Sequence, residues 1–166
     1  AVKPAYSQEC QFAPYVVEDS TEGWVNAYRH SIQVWMEGFD VEFDFSCIRP
    51  AGALLKTKGG YASGPAPFAD LLTFTRDIIL GARGRQLTPL EVHRLATKAG
   101  SIVMVGGVRR AAQISLSSAF DIEMRECKQG EFWHRYPELS MANNSAVITH
   151  IDELDVEWAQ LRASGT

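Results

Sequence analysis

The feature that most constrains this chain is an alternation of short strand-like segments with longer amphipathic ones. Apolar and polar residues alternate over residues 41–45, which is the two-residue period of a half-buried strand. Residues 15–17, 111–116 and 143–149 are also predicted as strands, and helical patterns lie between them. Strands separated by helices predict an α/β fold with parallel strand pairing.

Capping signals indicate where the helices begin and end. In the segment Asp19-Ser20-Thr21-Glu22, the Asp19 carboxylate can accept hydrogen bonds from the amides of a first helical turn, and Glu22 follows three residues later. We therefore expect Asp19 to cap a helix that runs to about residue 37 and ends at Gly38. Further helices are predicted over residues 68–80, 88–105, 120–128 and 152–162.

Composition excludes several classes of protein. The 166 residues are 46% apolar and 22% charged, as in a globular domain rather than a coiled coil, collagen or a disordered tail. A net charge of −4 argues against a general nucleic-acid binder. The sequence has neither an apolar run long enough to span a membrane nor the apolar core of a signal peptide. We therefore expect a cytoplasmic protein without membrane contact.

The cysteines and histidines do not form a recognisable site in the sequence. Cys10, Cys47 and Cys127 are widely spaced and include no Cys-x-x-Cys pair, so we expect reduced thiols. The four histidines are scattered and lack the spacing of metal ligands. The sequence therefore indicates no metal site.

Three segments carry residues suited to ligand binding. In the loop over residues 46–67, Arg49 and Lys56 lie among glycines, which let backbone amides and cations approach a phosphate. Residues 106–110 combine two glycines with two arginines, which could hold a phosphate or a base edge. Residues 143–145 place two amides and a hydroxyl beside an apolar strand. Each segment also has a structural alternative. Residues 46–67 could be a solvated surface loop, residues 106–110 a helix C-cap followed by solvated arginines, and residues 143–145 a turn.

In order and spacing, four motifs resemble the catalytic chain of ribonucleotide reductases. They are residues 17–24, residues 48–52 with 59–65, residues 106–111 and residues 143–147. The resemblance extends from about residue 12 to residue 147 and is to the adenosylcobalamin-dependent class (class II). Within that class, the chain resembles the monomeric ribonucleoside-triphosphate reductases, because residues 37–41 lack the glycine run that dimeric relatives often carry.

The resemblance implies a fold and a division of the chain. The family has a ten-stranded α/β barrel of the ribonucleotide reductase and glycyl-radical type, and this segment would supply much of its first half. Residues 1–14 would be an entry segment or the end of an upstream effector module. Residues 15–166 would form part of the catalytic barrel.

The resemblance also implies the residues of the site. Effector contacts would come from Asp19, Ser20, Thr21, Arg49 and Lys56. A specificity loop between effector and substrate would comprise Gly106, Gly107, Val108, Arg109 and Arg110, in which Arg109 communicates which base is reduced. The candidates for the substrate wall are Ser63, Gly64, Asn143, Asn144 and Ser145.

The implied activity of the full enzyme is the radical reduction of ribonucleotides to 2′-deoxyribonucleotides for DNA synthesis. Its partners would be the ribonucleotide, a deoxynucleotide effector, a thioredoxin-type dithiol reductant and adenosylcobalamin, which binds mostly outside this segment. The family's radical motif, Asn-x-Cys-x-Glu, does not occur in this sequence, nor does its C-terminal cysteine pair. Cys10 lies near a substrate-reducing cysteine of other branches, but in the monomeric branch that cysteine precedes the insertion.

We therefore expect a fragment of a monomeric reductase that contains no catalytic residue and is inactive alone. The alternative is a stand-alone nucleotide-binding regulatory module. A third hypothesis is an unrelated α/β domain whose motifs agree by chance.

Overall fold

The structure is a computed structural model, and it describes residues 1–3, 13–55, 59–104 and 112–164. The chain forms two compact units. The first comprises Ala1–Thr88 and Ile102–Arg110, and the second comprises Pro89–Ser101 and Ala111–Thr166.

The first unit packs two long helices beside a short pair of strands. Its elements are β1 (Tyr15–Val16), α1 (Thr21–Met36), β2 (Phe43–Asp44) and α2 (Ala66–Gly81). β1 pairs parallel with β2, as the alternation of strands and helices predicts. α1 contacts α2, where the Trp24 and Phe68 rings stack 4.7 Å apart and Tyr28 Oη lies 3.1 Å from Thr75 Oγ1. Buried apolar side chains, among them Trp35, Phe68, Leu71 and Ile79, form its core.

α1 begins as the capping pattern predicts, but with a different capping residue. Ser20 is the N-cap: its backbone is extended, and its Oγ accepts a hydrogen bond of 2.8 Å from the amide of Gly23. The expectation that Asp19 caps the helix is wrong, because the Asp19 carboxylate is paired with Arg49 instead. The helix ends at Met36, and Gly38 follows the C-cap with φ +87°, a left-handed conformation that glycine adopts at little cost.

The described part of the segment between β2 and α2 is folded back on itself. Leu54 and Tyr61 form an isolated antiparallel bridge, and α2 begins at residue 66, two residues before the predicted start. Gly64 has φ +72°, and a Cβ at that position would lie 2.9 Å from the backbone N of Ala51. The close approach and the backbone angle both explain a glycine here.

The second unit places helices against a longer pair of strands. Its elements are α3 (Pro89–Met104), of which residues 89–101 belong to this unit, β3 (Gln113–Ser118), α4 (Ile122–Glu126), α5 (Phe132–Arg135), a 3-10 helix (Pro137–Met141), β4 (Ala142–Val147) and α6 (Ile151–Ser164). β3 and β4 pair parallel over six residues, from Gln113 opposite Ala142 to Ser118 opposite Val147. Leu90, Met124, Cys127 and Leu139 form its core.

The sequence pattern gave no indication of α5 or of the 3-10 helix. Each has at most five residues, which is too short to show a helical period. The described residues contain two sheets of two strands each. The ten-stranded barrel stays a prediction.

Candidate functional site

In the first unit, the fold brings together two of the predicted effector-binding residues. Arg49, beyond β2, donates from Nε to Asp19 Oδ2 at 2.7 Å, immediately before α1. Their side chains are 39% and 31% exposed, so both charges can be reached from solvent. Ser20 and Thr21 follow as the N-cap and first residue of α1, whose first-turn amides point toward the same end. We call this group the Arg49 cluster.

Other predicted residues either lie elsewhere or fall outside the described ranges. Ser63 and Gly64 belong to the first unit, where the Ser63 hydroxyl lies 3.3 Å from the Gly64 carbonyl oxygen. Asn143, Asn144 and Ser145 belong to the second unit. Lys56, the specificity loop over residues 106–110 and Cys10 lie outside the described residues.

In the second unit, the Asn-Asn-Ser segment lines a cleft. Asn143, Asn144 and Ser145 are strand residues of β4, not a turn, so the strand prediction for this segment is confirmed. The cleft, which we call the β4 cleft, has a volume of about 630 Å³. Its walls also include Ser117 and Ser118 of β3, Arg125 of α4 and Glu157 of α6, together with Lys128 after α4.

The face of the β3–β4 pair that turns toward the helices is polar. Ser115 Oγ lies 2.6 Å from Nδ1 of His93 on α3, and Gln113 Nε2 lies 3.1 Å from the same nitrogen. On the neighbouring strand, the Asn144 amide donates to Cys127 Sγ at 2.9 Å. Among the described residues, no well-formed hydrogen bond reaches the buried His93 Nε2 or Asn144 Oδ1, although Asn144 lies near enough to His93 to act on its pKa. Asn144 therefore connects the cleft with a buried polar cluster.

Burial sets the protonation of two groups in this cluster. It lowers the pKa of His93 below the ordinary value of 6.5, and the charge of Lys128 adds to the effect, while Asn144 and Glu138 oppose it. Burial raises the pKa of the Cys127 thiol, against a smaller opposing effect of the Asn144 hydrogen bond. His93 is therefore neutral and Cys127 a thiol near neutral pH.

Because the pKa of His93 is lowered in the folded chain, we predict that the free energy of unfolding depends on pH. The unfolded chain takes up a proton on this imidazole below about pH 6.5, whereas the folded chain resists it, so acidification favours unfolding. We expect a loss of up to about 1.4 kcal/mol per pH unit as the pH falls below that value. Urea unfolding of the chain at pH 7.5, 6.5 and 5.5 measures this slope.

Two variants isolate the contribution of His93. His93→Gln should flatten the slope, whereas His134→Gln, at an exposed histidine of the same unit, should leave it unchanged. Equal slopes in the wild type and in His93→Gln would rule out this origin of the acid sensitivity.

Sequence reasoning missed His93, Arg125, Lys128 and Glu157. The one sequence signal was the spacing of Arg125 and Lys128 by three residues within the predicted helix over residues 120–128, although α4 ends at Glu126 and Lys128 follows it. Across the described ranges, no group of three or more histidine, cysteine or acidic side chains could hold a metal ion. No helix in the described part of the chain is long and apolar enough to cross a membrane.

Comparison with known proteins relates these features to one family. Residues 1–79 match the family model described as "B12-dependent ribonucleotide reductase, insertion domain". The adenosylcobalamin-dependent ribonucleoside-triphosphate reductase of Levilactobacillus brevis is 33% identical over 150 residues, covering 85% of this chain and 19% of that protein. The enzyme of the same name from Euglena gracilis is 30% identical over 138 residues, which cover 82% of this chain and 19% of that protein.

The fold gives the same relationship. A crystal structure of a B12-dependent (class II) ribonucleotide reductase superimposes with a TM-score of 0.76 and 25% sequence identity. The match covers 95% of this chain and 22% of that chain. The present chain thus spans about a fifth of the length of its relatives.

Proposed function

Because this chain belongs to the family of B12-dependent ribonucleotide reductases, we propose that it supplies nucleotide-binding parts of an enzyme that makes 2′-deoxyribonucleotides. The Arg49 cluster would receive the deoxynucleotide effector, and the β4 cleft would receive part of the ribonucleotide. The single observation that carries this proposal is the half-exposed Arg49–Asp19 pair at the N-terminus of α1.

The Arg49 cluster has the chemistry that a nucleotide phosphate requires. A guanidinium makes strong, directional hydrogen bonds to phosphate oxygens, and helix N-terminal amides favour an anion. A phosphate arriving at Arg49 would compete with the Asp19 carboxylate, which accepts a hydrogen bond from Arg49 Nε. Lys56 and the loop over residues 106–110 are assigned to the same effector function by resemblance.

The outer face of the β3–β4 pair supports a place within a larger barrel. Ile114 is 67% exposed, Leu116 71% and Val147 44%, all on strands of the second unit. Exposed aliphatic residues on a sheet face favour association with further structure. We propose that β3 and β4 are two strands of the ten-stranded barrel, and that residues 1–14 lead into this part.

Adenosylcobalamin supplies the radical in this class when it is bound, and the described residues do not fit it. A cleft of about 630 Å³ matches a nucleotide-sized ligand rather than a corrinoid. We assign the cofactor to other parts of the enzyme and propose no radical step at these residues. As part of the same proposal, we infer that the full enzyme takes its electrons from a thioredoxin-type dithiol, is a monomer and lies in the cytoplasm. The alternative of a stand-alone module is not favoured, because the relatives named above are reductases.

Substitution of Arg49 tests the effector assignment. Arg49→Gln removes a charged donor while keeping an amide of similar reach, and hydrogen bonds to charged groups contribute about 1.5–3 kcal/mol. We therefore expect deoxynucleoside triphosphates to bind the chain at least about tenfold more weakly, as measured by calorimetry.

A matched variant controls for the lost charge. Arg29→Gln removes an exposed arginine on α1 of the same unit and should leave the affinity unchanged. The effector assignment fails if the wild-type chain binds no deoxynucleotide, or if the two variants lose affinity equally.

A further inference from the structure

The side chain of Gln113, the first residue of β3, is held by two residues of α3. Its Nε2 lies 3.1 Å from Nδ1 of His93, and its Oε1 lies 3.2 Å from Oγ1 of Thr97. His93 and Thr97 are four residues apart, so successive turns of α3 present them on one face of the helix. Both residues are buried, at 4% and 1% exposure. A single amide group therefore clamps the start of β3 to α3.

The polar atoms of this clamp are matched as donors and acceptors. An amide nitrogen only donates, so Nδ1 of His93 is the acceptor and the imidazole proton lies on Nε2. Burial lowers the pKa of His93, so the imidazole is neutral near neutral pH and Nδ1 keeps its lone pair. The amide oxygen of Gln113 accepts from the Thr97 hydroxyl. The two contacts together fix the direction of the amide.

The start of β3 depends on polar contacts for its position against α3. Ser115, the other residue of β3 that faces the helices here, has its Oγ 2.6 Å from the same nitrogen of His93. The aliphatic residues of the strand, Ile114 and Leu116, are exposed instead. Hydrogen bonds weaken steeply with distance and angle, whereas apolar packing has no preferred direction. Loss of the Gln113 amide should therefore loosen the start of the strand.

The two clamped elements flank the predicted specificity loop in the sequence. α3 ends at Met104 and β3 begins at Gln113, and residues 106–110 lie between these positions. The conformations available to a short connection depend on how its two ends are held. A side chain that fixes β3 against α3 therefore biases which loop conformations are populated.

We infer that Gln113 is a positioning residue for nucleotide selectivity, which through His93 and Thr97 holds the β3 end of the specificity loop against α3. The inference rests on the proposed function for the role of the loop. Gln113 acts without touching the substrate, because it restricts the conformations in which the loop receives a base. Its loss should change the choice among ribonucleotides and leave the maximal rate on the preferred one nearly unchanged.

The selectivity test uses the full-length reductase that contains this chain, supplied with adenosylcobalamin and a dithiol. The four ribonucleoside triphosphates compete in one reaction, with or without each deoxynucleoside triphosphate, and the ratio of the products is measured. Gln113→Leu removes the amide at similar volume and should change this ratio at least about threefold, as expected for the loss of one or two neutral hydrogen bonds. The ratio does not depend on the fraction of folded enzyme, so a loss of stability alone leaves it unchanged.

Two further variants show whether the amide and the hydroxyl act together. Thr97→Val removes the hydroxyl that faces Gln113 and should shift the product ratio in the same direction. Because both side chains belong to one clamp, Gln113→Leu/Thr97→Val should change the ratio no more than the larger single effect, and additive effects would contradict the clamp. Ser101→Ala is the matched control, because Ser101 Oγ donates to the Lys98 oxygen within α3, and it should leave the ratio unchanged.

Hydrogen exchange tests the clamp in the 166-residue chain without turnover. The amides of residues 113–115 should exchange at least about threefold faster in Gln113→Leu than in the wild type, because the start of β3 opens more often. Ser101→Ala should exchange at these positions as the wild type does.

The outcomes separate this inference from the proposed function. Wild-type product ratios or wild-type exchange in Gln113→Leu would refute the inference, and so would an equal change in Ser101→Ala. If Gln113→Leu changes the ratio but no deoxynucleotide alters it in the wild type, the inference stands and the proposed effector function fails. If the wild type reduces no ribonucleotide, the proposed function fails, whereas faster exchange in Gln113→Leu still supports the clamp and equal exchange overturns it.

Discussion

Arg94→Met is expected to destabilise the second unit by about 3–5 kcal/mol. Arg94 of α3 donates to the carboxylate of Glu138 in the 3-10 helix, and the Glu138 side chain is only 4% exposed. The same guanidinium lies 4.6 Å from the centroid of the Tyr136 ring. Removing the cation leaves a buried carboxylate without its charged partner, which is far more costly than the loss of an exposed pair. Urea unfolding followed by the fluorescence of Trp133 measures the loss.

Two further variants show whether the buried charge is the cause. Arg94→Met/Glu138→Leu removes both charges and should recover most of the lost stability. Arg76→Met breaks the pair with Asp40, whose side chains are 44% and 46% exposed, and should cost no more than about 1 kcal/mol. If Arg94→Met costs no more than Arg76→Met, the buried pair does not have this role.

Gly23→Ala is expected to destabilise the first unit by about 1–3 kcal/mol, although alanine is the better helix former. Gly23 is the third residue of α1, and a Cβ there would lie 2.6 Å from Glu18 Cβ and 2.7 Å from the Glu18 carbonyl oxygen. Backbone must move to relieve this contact, and Asp19 is the next residue. Because we propose that the effector binds at the Arg49 cluster, the variant should also weaken deoxynucleotide binding, which calorimetry measures. Urea unfolding followed by Trp24 fluorescence measures the loss of stability.

Gly81→Ala is the matched control. Gly81 is the last residue of α2, and a Cβ at that position would meet nothing within 4 Å. The substitution should be neutral or stabilise by up to about 1 kcal/mol. If Gly23→Ala is as stable as Gly81→Ala, the backbone at Glu18 moves away from the new Cβ without a loss of stability, and the prediction is wrong.

The polar face of the β3–β4 pair shows where sequence patterns mislead. In β3, Gln113 and Ser115 turn toward the helices, while Ile114 and Leu116 are 67% and 71% exposed. A period of two indicates that the faces of a strand differ, but not which face is covered. Polar residues can face inward here because His93 of α3 supplies a partner across 2.6 Å, at a sequence separation of 22 residues.

The capping of α1 shows the same limit on a smaller scale. Asp19 and Ser20 both have side chains that can accept from first-turn amides, and local sequence does not separate them. Arg49, 30 residues away, pairs with the Asp19 carboxylate, and the Ser20 hydroxyl therefore caps the helix.

The sequence by itself determined the family, the order of the strands and the long helices, the parallel pairing, and the approximate ends of the long helices. The family follows from the resemblance of four motifs in order and spacing, whereas the strands and long helices depend on periodicity, capping residues and glycines, which act over a few neighbouring positions. The tertiary structure alone decided that Arg49 meets Asp19, that Arg125 meets Glu157, and that Arg94 meets the buried Glu138. These pairs join residues 30 to 44 positions apart, and only the packing of the elements that carry them sets such distances.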